Sequence, residues 1–213
     1  MAIILKNISP VYLEKEKVLR SEVWNNVVTI QQGKKVQVTA PSGSGKTSFV
    51  HFLYGLRSDY TGTITFEDND LGRSTAEEIS AIRQRKLSVI FQDMRLFPGH
   101  TLFENIRVKL ELQPFHHESR IAEMAEQLGI ATKLNQAAHK CSYGEQQRAA
   151  IIRALQQPFD YLLMDEPFSH LDDNNRAIAM RLILEEAEKR KAAIIMADLE
   201  PYAEFPSDQN LLL

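Results

Sequence analysis

The stretch that most constrains the fold is APSGSGKTS, residues 40–48, which lies between a predicted β-strand at residues 36–39 and an apolar helical pattern. Its glycines let successive backbone N–H groups converge on one anion, and the helix that follows adds the positive end of its dipole. Lysine at position 46 supplies a point charge for the β- and γ-phosphates of a nucleotide, and the hydroxyl of Thr47 can bind Mg²⁺. The sequence therefore predicts a phosphate-binding loop whose ligand contacts come from Ser42, Gly43, Ser44, Gly45, Lys46, Thr47 and Ser48.

One residue of this loop departs from the usual pattern G-x-x-x-x-G-K-[ST], because Ala40 stands at the first glycine. Pro41 follows it, and a residue before proline favours extended backbone, which alanine adopts without strain. We therefore expect the loop to keep its shape. The alternative is a Gly/Ser-rich turn that binds nothing, and the order of strand, loop, Gly-Lys-Thr and helix argues against it.

Short runs of apolar and β-branched residues alternate with helical patterns along the chain, which indicates an α/β fold with a mainly parallel sheet. Two runs, at residues 161–164 and 193–196, are apolar throughout, as expected of strands that are buried on both faces. Between residues 95 and 140 the pattern is helical with no strand signal, which predicts a helical lobe inserted into the α/β core. The other predicted strands lie at residues 3–5, 27–30, 36–39, 63–66 and 87–91.

Charge and composition exclude several classes of protein. The chain has 213 residues and a net charge of −3, so it lacks the basic surface of a typical nucleic-acid-binding domain, and we expect no nucleic-acid partner. No run approaches the ~18 apolar residues of a membrane-spanning helix, and the N-terminus lacks the features of a signal peptide. The one cysteine, Cys141, has no partner for an internal disulfide. We therefore expect a soluble protein in a reducing compartment.

The segment YLLMDEP, residues 161–167, ends a predicted buried strand in two adjacent acids. Two carboxylates in such a place are costly unless they meet a cation or line a crevice. Beside a phosphate-binding loop, Asp165 can hold Mg²⁺, directly or through water, and Glu166 can polarise an attacking water. The alternative is a solvated strand end without a ligand.

A further segment, CSYGEQQR at residues 141–148, has the pattern of a helix start. Ser142 and Glu145 have the spacing of a capping box, in which each side chain accepts a hydrogen bond from the backbone N–H of the other residue. Taken alone, the segment is most simply interpreted as a helix start. A helix N-terminus also attracts anions, so a capping serine there can reach a phosphate of another molecule.

The order and spacing of these segments resemble the ATP-binding cassette family over nearly the whole chain. Residues 141–145 stand where this family has its signature Leu-Ser-Gly-Gly-Gln/Glu, and Gln146, Gln147 and Arg148 match its usual continuation. The phosphate-binding loop precedes this segment, and the acids at residues 165 and 166 follow it, in the family's order.

Three more positions carry the resemblance. Gln92, in VIFQD, stands at the family's Q-loop, which implies a catalytic and metal-binding role for it beside Glu166. The segment SHLD, residues 169–172, stands at the D-loop, which makes Asp172 a predicted nucleotide-site residue. Tyr12 stands about where an aromatic side chain stacks on adenine; its alternative role is that of a partly buried surface tyrosine.

The resemblance implies a P-loop NTPase core with an N-terminal antiparallel β subdomain and an inserted helical subdomain. It implies a single domain at residues 1–213, with the nucleotide-binding core at 1–94 and 151–213 and a helical signature subdomain at about 95–150. Members of this family meet head to tail with ATP between them. Ser142 and Gly144 of one chain would then donate hydrogen bonds to a γ-phosphate held by Lys46 of a second cassette, identical or different.

The implied function is ATP hydrolysis that drives an integral membrane permease, with ATP and Mg²⁺ as ligands, at the cytoplasmic face of the membrane. The residues around 92–104 would press on loops of that permease. The segment RQRKLSVIFQDMRLFPGHTLFENI resembles the branch that serves lipoprotein release, macrolide export and the cell-division complex. The final residues 211–213 are expected to form a last strand, with no regulatory domain after it.

Three departures from the family pattern keep a second function open. Tyr143 stands at the first signature glycine, and Cys141 stands at the leucine, where we expect a small buried hydrophobe. Ala197, in MADLE, stands at the histidine that touches the γ-phosphate, and alanine can neither donate a hydrogen bond nor position water. The alternative function is therefore an ATP-gated binding module with little hydrolysis, although Glu166 is intact. A cassette acting on nucleic acid or ribosomes is disfavoured, because such proteins usually fuse two cassettes or carry coiled-coil insertions.

Overall fold

The structure of the chain, a computed structural model, describes the backbone of residues 1–213 and every side chain except those of Lys15 and Lys17. Strands and helices alternate over most of the chain, as the sequence predicts. The strands are β1 (Ala2–Pro10), β2 (Val27–Gln31), β3 (Lys35–Thr39), β4 (Tyr60–Phe66), β5 (Asn69–Asp70), β6 (Leu87–Ile90), β7 (Tyr161–Asp165), β8 (Ala193–Asp198) and β9 (Gln209–Leu212). The α-helices are α1 (Lys15–Leu19), α2 (Lys46–Leu53), α3 (Ala76–Arg85), α4 (Leu102–Leu112), α5 (Ser119–Gln127), α6 (Tyr143–Leu155) and α7 (Asp173–Arg190), with 3-10 turns at Ala131–Lys133 and Ala138–Lys140.

Five strands form a parallel sheet in the order β6-β7-β8-β3-β9, which confirms the predicted fold class. Strand β8 lies between β3 and β7. In its register, Asp198 pairs with Thr39 of β3, and Ala197 pairs with Asp165 of β7. Because parallel strands share one carboxyl edge, the loop after β3 and the acids at the end of β7 lie about 10 Å apart, two strand spacings along that edge.

The parallel sheet is buried on both faces, as the apolar runs predict. Along β8, Ala193, Ile195 and Ala197 belong to a core shared with β1 and α2, whereas Ile194 and Met196 belong to a second core shared with α5, α6 and α7. All five side chains are fully buried. Alternate residues of one strand thus anchor α2 on one face and the helical part of the chain on the other.

A smaller antiparallel sheet, in the order β2-β1-β4-β5, covers the first core and confirms the predicted N-terminal β subdomain. Strand β1 extends well past the predicted residues 3–5, with a register shift against β4 between Lys6 and Ser9. Within this irregularity Asn7 has a φ of +52°. Glycine is required opposite it, because a Cβ on Gly62 would lie 2.3 Å from the Asn7 carbonyl oxygen. Such a bulge depends on cross-strand geometry, which the local pattern does not show.

Between residues 95 and 140 the regular elements are α4, α5 and the two 3-10 turns, with one isolated β-bridge between Thr101 and Ala137, so the prediction of helices without a strand is confirmed. Helix α4 begins at a capping box formed by Thr101 and Glu104. Helix α5 ends before Gly129, whose φ of +67° lies in the left-handed region that stops helices. The predicted apolar face of α5 is confirmed, since it buries Ile121, Met124, Ala125 and Leu128.

The observed element boundaries differ from the predicted ones in two places. Helix α6 continues past the predicted subdomain boundary at residue 150 and packs in the same core as β7, so the division of the domain stays a prediction. The last strand is Gln209–Leu212 rather than 211–213, because its pairing with β3 draws two polar residues into the sheet. Among the described residues, none of the helices combines the length and the apolar character that crossing a bilayer requires.

Candidate nucleotide-binding site

The predicted phosphate-binding loop joins β3 to α2, as expected. Gly43 and Gly45 have φ angles of +76° and +102°, a conformation that side-chain-bearing residues rarely adopt. Ala40 is buried and is not among the residues with positive φ, which confirms that alanine is tolerated at the first position of the loop. Its N–H donates to the Asp198 carbonyl oxygen at 3.1 Å and ties the loop to β8. Ser42 is exposed at the mouth of the loop.

Trp24 supports the loop from below, and sequence reasoning missed it. Its side chain is fully buried, and its Nε1 donates to the Ser44 carbonyl oxygen at 3.3 Å. The ring packs edge-on against Phe49 and Phe52, with centroids 6.0 and 6.3 Å apart. A Cβ on Gly45 would lie 3.2 Å from Trp24 Cζ2. The indole therefore supports the backbone of the loop, and glycine at position 45 meets both a steric and a conformational requirement.

Lys46 begins α2 and lies within the loop rather than in solvent. Its side chain is 5% exposed. The ammonium donates to the carbonyl oxygens of Ala40 at 2.8 Å and Pro41 at 3.2 Å, and its Nζ lies 3.6 Å from Glu166 Oε1. The loop thus holds one cation among oxygen atoms at the start of a helix, where the peptide dipoles add further positive potential.

Asp165 ends β7 and is buried. Burial raises its pKa from 3.8 to about 6, although a hydrogen bond from Thr47 acts in the opposite direction and the charge of Glu166 adds to the rise. Its Oδ1 is buried without a hydrogen-bond partner. A buried carboxylate oxygen with no partner, next to an exposed threonine hydroxyl, is a fitting pair of oxygen ligands for Mg²⁺.

No cluster of three or more His, Cys, Asp or Glu side chains suited to a metal occurs in the part of the chain that the structure describes. An ion at Asp165 and Thr47 would therefore complete its shell with water and phosphate oxygens, which is how Mg²⁺ is commonly held in nucleotide sites. Gln92, the other predicted metal ligand, is exposed and directs its amide nitrogen to Glu166 instead.

Glu166 and Gln92, the two residues predicted to be catalytic, are in contact. Gln92 Nε2 donates to Glu166 Oε2 at 2.9 Å. The backbone of Glu166 has a φ of +43°, a conformation that costs about 1–3 kcal/mol in a residue with a side chain and that concentrates at functional sites. Its N–H donates to the Ala197 carbonyl oxygen at 2.9 Å, so β8 holds this turn in place.

Tyr12, the residue predicted to stack on adenine, lies beside the phosphate-binding loop. Its hydroxyl donates to Ser48 Oγ, and half of the side chain is exposed. Arg57, which sequence reasoning missed, donates to the same Ser48 Oγ at 3.0 Å and lies 4.9 Å above the Tyr12 ring. Asp59 pairs with this arginine. The cluster leaves an aromatic surface next to the start of α2.

The signature segment forms the predicted helix start. Ser142 Oγ accepts from Glu145 N–H at 3.3 Å, and Ser142 N–H donates to Glu145 Oε2 at 2.8 Å. The Ser142 side chain is exposed, and its hydroxyl also interacts with the Glu145 carboxylate. Gly144 lies close to the D-loop, since a Cβ there would be 3.0 Å from the His170 carbonyl oxygen. Cys141 is buried, as expected.

The remaining predicted residues lie apart from Lys46. Asp172 caps α7, and its two oxygens accept from the backbone and the side chain of Asn175 at 2.8 and 2.7 Å. Within the described residues, no hydrogen bond or ion pair joins the phosphate-binding loop to the signature segment. Ala197, at the place of the family's histidine, is fully buried against the core that contains α2.

These features define a class. The chain has a strand, a glycine-rich loop and a helix that begins at lysine, and two acids lie at the end of a strand two positions along the same sheet. This makes it a P-loop nucleotide-binding protein. A family model described as ABC transporter matches residues 25–169, and the chain belongs to this family.

Curated relatives span several transport systems. The chain is 35% identical over 202 residues to a glucose import ATP-binding protein, GlcV, of Saccharolobus solfataricus, which covers 93% of this chain and 56% of that protein. It is 35% identical to the cell division ATP-binding protein FtsE of Bacillus subtilis, covering 80% of this chain and 75% of the relative. It is 33% identical to a lipoprotein-releasing ATP-binding protein, LolD, of Buchnera aphidicola, covering 84% and 79%. The last two belong to the branch that the sequence resembles.

Solved structures confirm the fold. An ATP-binding cassette determined as a dimer in a post-hydrolysis state, bound to ADP and Pi, superposes with a TM-score of 0.81. The match covers 93% of this chain and 88% of that chain at 24% sequence identity. At this identity the comparison establishes the shared architecture of the cassette.

Proposed function

We propose that this chain is the ATP-hydrolysing subunit of a membrane transporter and that it acts as one half of a head-to-tail pair of cassettes. The observation that carries the proposal is the connected cluster at the carboxyl edge of the parallel sheet. There Glu166 is hydrogen-bonded to Gln92 and lies 3.6 Å from Lys46, next to the buried Asp165. Charged groups of both signs at the mouth of a phosphate loop are the parts that phosphoryl transfer to water requires.

Each residue of this cluster has a separate part in ATP hydrolysis. Lys46 and the loop N–H groups bind the β- and γ-phosphates, and Glu166, oriented by Gln92, accepts a proton from water. The water oxygen bonds to the γ-phosphorus while the bond from that phosphorus to the bridging oxygen breaks, which leaves ADP and phosphate. Mg²⁺ held by Asp165 and Thr47 would neutralise phosphate charge.

A second cassette is needed because the phosphate-binding loop and the signature segment of one chain, the two halves of a nucleotide site, do not meet. Ser142 lies on an exposed helix start, whereas Lys46 binds within the loop of the same chain. The dimeric state of a similar cassette supports the same arrangement. In it, Ser142 and Gly144 would donate to the phosphates held by the partner cassette, and Asp172 would lie at the same interface.

The membrane partner is proposed from the relatives, whose names place them in import, lipoprotein release and cell division. The surface after Gln92 suits such a contact. Phe97 is half exposed there, and with Arg107 and Val108 it lines a groove of about 420 Å³ along α4. A permease docked on this groove would keep the subunit at the cytoplasmic face of the membrane.

The test measures Mg-ATP binding and phosphate release for the purified chain. Lys46→Ala should abolish binding, whereas Lys34→Ala, which removes an exposed lysine paired with Asp208, should leave it unchanged. Glu166→Gln should keep binding, lose turnover, and accumulate an ATP-dependent dimer in size-exclusion chromatography. A wild-type chain that does not bind millimolar Mg-ATP, or a Lys46→Ala variant that still binds it, contradicts the proposal.

The second candidate is an ATP-gated binding module with little hydrolysis. Two observations favour it, namely the apolar, buried Ala197 at the histidine position and the bulky Tyr143 in the signature. It predicts that the wild type and Glu166→Gln bind ATP equally and are equally inactive, also with the membrane partner present. A wild-type rate well above that of Glu166→Gln rejects it.

A further inference from the structure

One departure from the family pattern, Tyr143, contacts the D-loop through an exposed aromatic pair. The ring of Tyr143, in the signature segment, stacks on the imidazole of His170, in the D-loop, with centroids 5.3 Å apart and planes 21° from parallel. Tyr143 is 68% exposed and His170 is exposed. Because Tyr143 follows Ser142 directly, the imidazole lies beside the residue assigned to the partner's γ-phosphate.

A hydrogen-bond chain favours one tautomer of this imidazole. The backbone N–H of His170 donates to Gln147 Oε1 at 2.9 Å, so the other end of that amide is the donor, and it reaches Ser169 Oγ at 3.3 Å. The Ser169 hydroxyl hydrogen is then left for His170 Nδ1, at 3.1 Å. A neutral imidazole that accepts at Nδ1 carries its hydrogen on Nε2.

His170 Nε2 has no partner among the side chains that the structure describes. Gln147 is fully buried, and both ends of its amide hold the D-loop. The imidazole is therefore fixed on three sides, by the Tyr143 ring, by Ser169 and by its own backbone, and it presents one N–H donor outward on the signature face.

We propose that His170 donates this N–H to the γ-phosphate held by the partner cassette and so replaces, across the interface, the histidine that is missing at Ala197. The inference rests on the head-to-tail pair of the proposed function. His170 gives up no proton in the reaction: it stabilises charge on the γ-phosphate oxygens while Glu166 of the other chain takes the proton of the attacking water. Tyr143 positions the imidazole by stacking.

The first test uses single variants. His170→Ala should lower kcat by about 100-fold, the effect of removing one donor to a developing charge, with Mg-ATP binding by the isolated chain and the melting temperature unchanged. His117→Ala is the matched control, because His117 is also exposed and its Nδ1 also lies 3.1 Å from a serine hydroxyl, that of Ser119. It should hydrolyse ATP at the wild-type rate.

Substitutions of Tyr143 test whether its ring positions the His170 imidazole. Tyr143→Gly restores the glycine that the family signature has, yet it removes the stack on His170, so kcat should fall several-fold. Tyr143→Phe keeps a ring and should keep the rate. An unchanged or higher rate in Tyr143→Gly contradicts the positioning role.

Subunit mixing decides whether the donor acts across the interface. His170→Ala and Glu166→Gln should each have little activity alone, but in a mixed dimer one site combines an intact Glu166 with the partner's His170. Random pairing should therefore restore about a quarter of wild-type activity, since half of the dimers are mixed and each has one complete site.

A mixture that stays inactive, or a His170→Ala variant within about twofold of wild type, overturns the inference. If the wild type binds Mg-ATP through Lys46 and hydrolyses it under these conditions, the proposed function survives that result. If the wild type does not hydrolyse ATP at all, both fail.

Discussion

Gln92 Nε2 donates a 2.9 Å hydrogen bond to Glu166 Oε2, and this bond joins the segment after β6 to the segment after β7. The two side chains come from positions 74 residues apart. The contact gives the proposed base a fixed orientation.

Removal of this bond should slow the chemistry without preventing binding. We expect Gln92→Ala to lower kcat about 10- to 100-fold, the usual range for disturbed general-base catalysis, because Glu166 loses its fixed orientation. The affinity for Mg-ATP should change little, since Lys46 and the loop are intact. Phosphate release and ATP binding measured on the same sample check this. A strong loss of binding would show instead that Gln92 mainly holds the ligand.

Trp24 should act as a built-in reporter of nucleotide binding. It is the only tryptophan in the sequence, and its indole donates to the Ser44 carbonyl oxygen under the loop. A ligand that draws the loop amides toward phosphate should change the polarity around this ring and hence its emission. Fluorescence titration with Mg-ATP should therefore saturate, and Lys46→Ala should abolish the change. A flat titration in a sample that binds ATP by dialysis would contradict the coupling.

Asp165→Asn should stabilise the protein without ligand and weaken its response to Mg²⁺. The folded pKa of about 6 lies above the ordinary 3.8. The protonated carboxyl group therefore contributes stability that is complete below about pH 3.8 and is lost as the pH rises through 6. At pH 8 the variant should gain up to about 3 kcal/mol, at about 1.4 kcal/mol per pKa unit, and the gain should shrink toward pH 4.

Thermal melts with and without Mg-ATP measure both effects of this substitution. Asp68→Asn, at an exposed carboxylate, is the control for charge. If Asp165→Asn melts below the wild type at pH 8 without ligand, burial is not the dominant influence on this carboxyl group.

Glu186→Gln should destabilise the fold strongly. The carboxylate on α7 is fully buried and pairs with His116, Arg120, Lys189 and Arg190, at distances between 2.6 and 3.1 Å. Burial alone would raise its pKa, but these hydrogen bonds hold the pKa well below its ordinary 4.5. Breaking such a network leaves buried cations unpaired, at a cost of about 3–5 kcal/mol, and the melting temperature should fall by about 10 °C.

The pH dependence of that effect follows from the lowered pKa. The stability contributed by Glu186 is present above about pH 4.5 and is lost as the pH falls toward the folded pKa, so the difference from the wild type should shrink below pH 4.5. Glu185→Gln, one residue away but exposed, should leave the melting temperature unchanged. Equal melting of both variants would mean that the network adds nothing to stability.

Much of the site could be predicted because its signals are local. The loop at residues 40–48, the acids 165 and 166 and the capping box at residue 142 each occupy a few consecutive residues, and each pattern has a physical reason to exist. The parallel sheet followed from apolar runs of strand length. Strand β5, two residues long, and the extension of β1 depend on pairing across the sheet, which the local sequence does not show.

The residues that support the site could not be predicted in the same way. Trp24 meets Ser44 across 20 residues, and Gln147 meets Ser169 across 22. Nothing in the local sequence distinguishes Arg57 from other arginines, and only the fold brings it over the Tyr12 ring. Single polar or aromatic residues of this kind have no periodic pattern, so their roles emerge from tertiary contacts alone.

The buried amide of Gln147 has a consequence for timing. It ties the start of α6 to Ser169, whose N–H in turn donates to the carbonyl oxygen of Glu166 at 3.4 Å. In the proposed pair of cassettes, the signature segment that contacts one nucleotide is thereby connected to Glu166, the base that acts on the other nucleotide. Nucleotide at one site of such a pair should therefore change the rate at the other, while a dimer with a single complete site still turns over there.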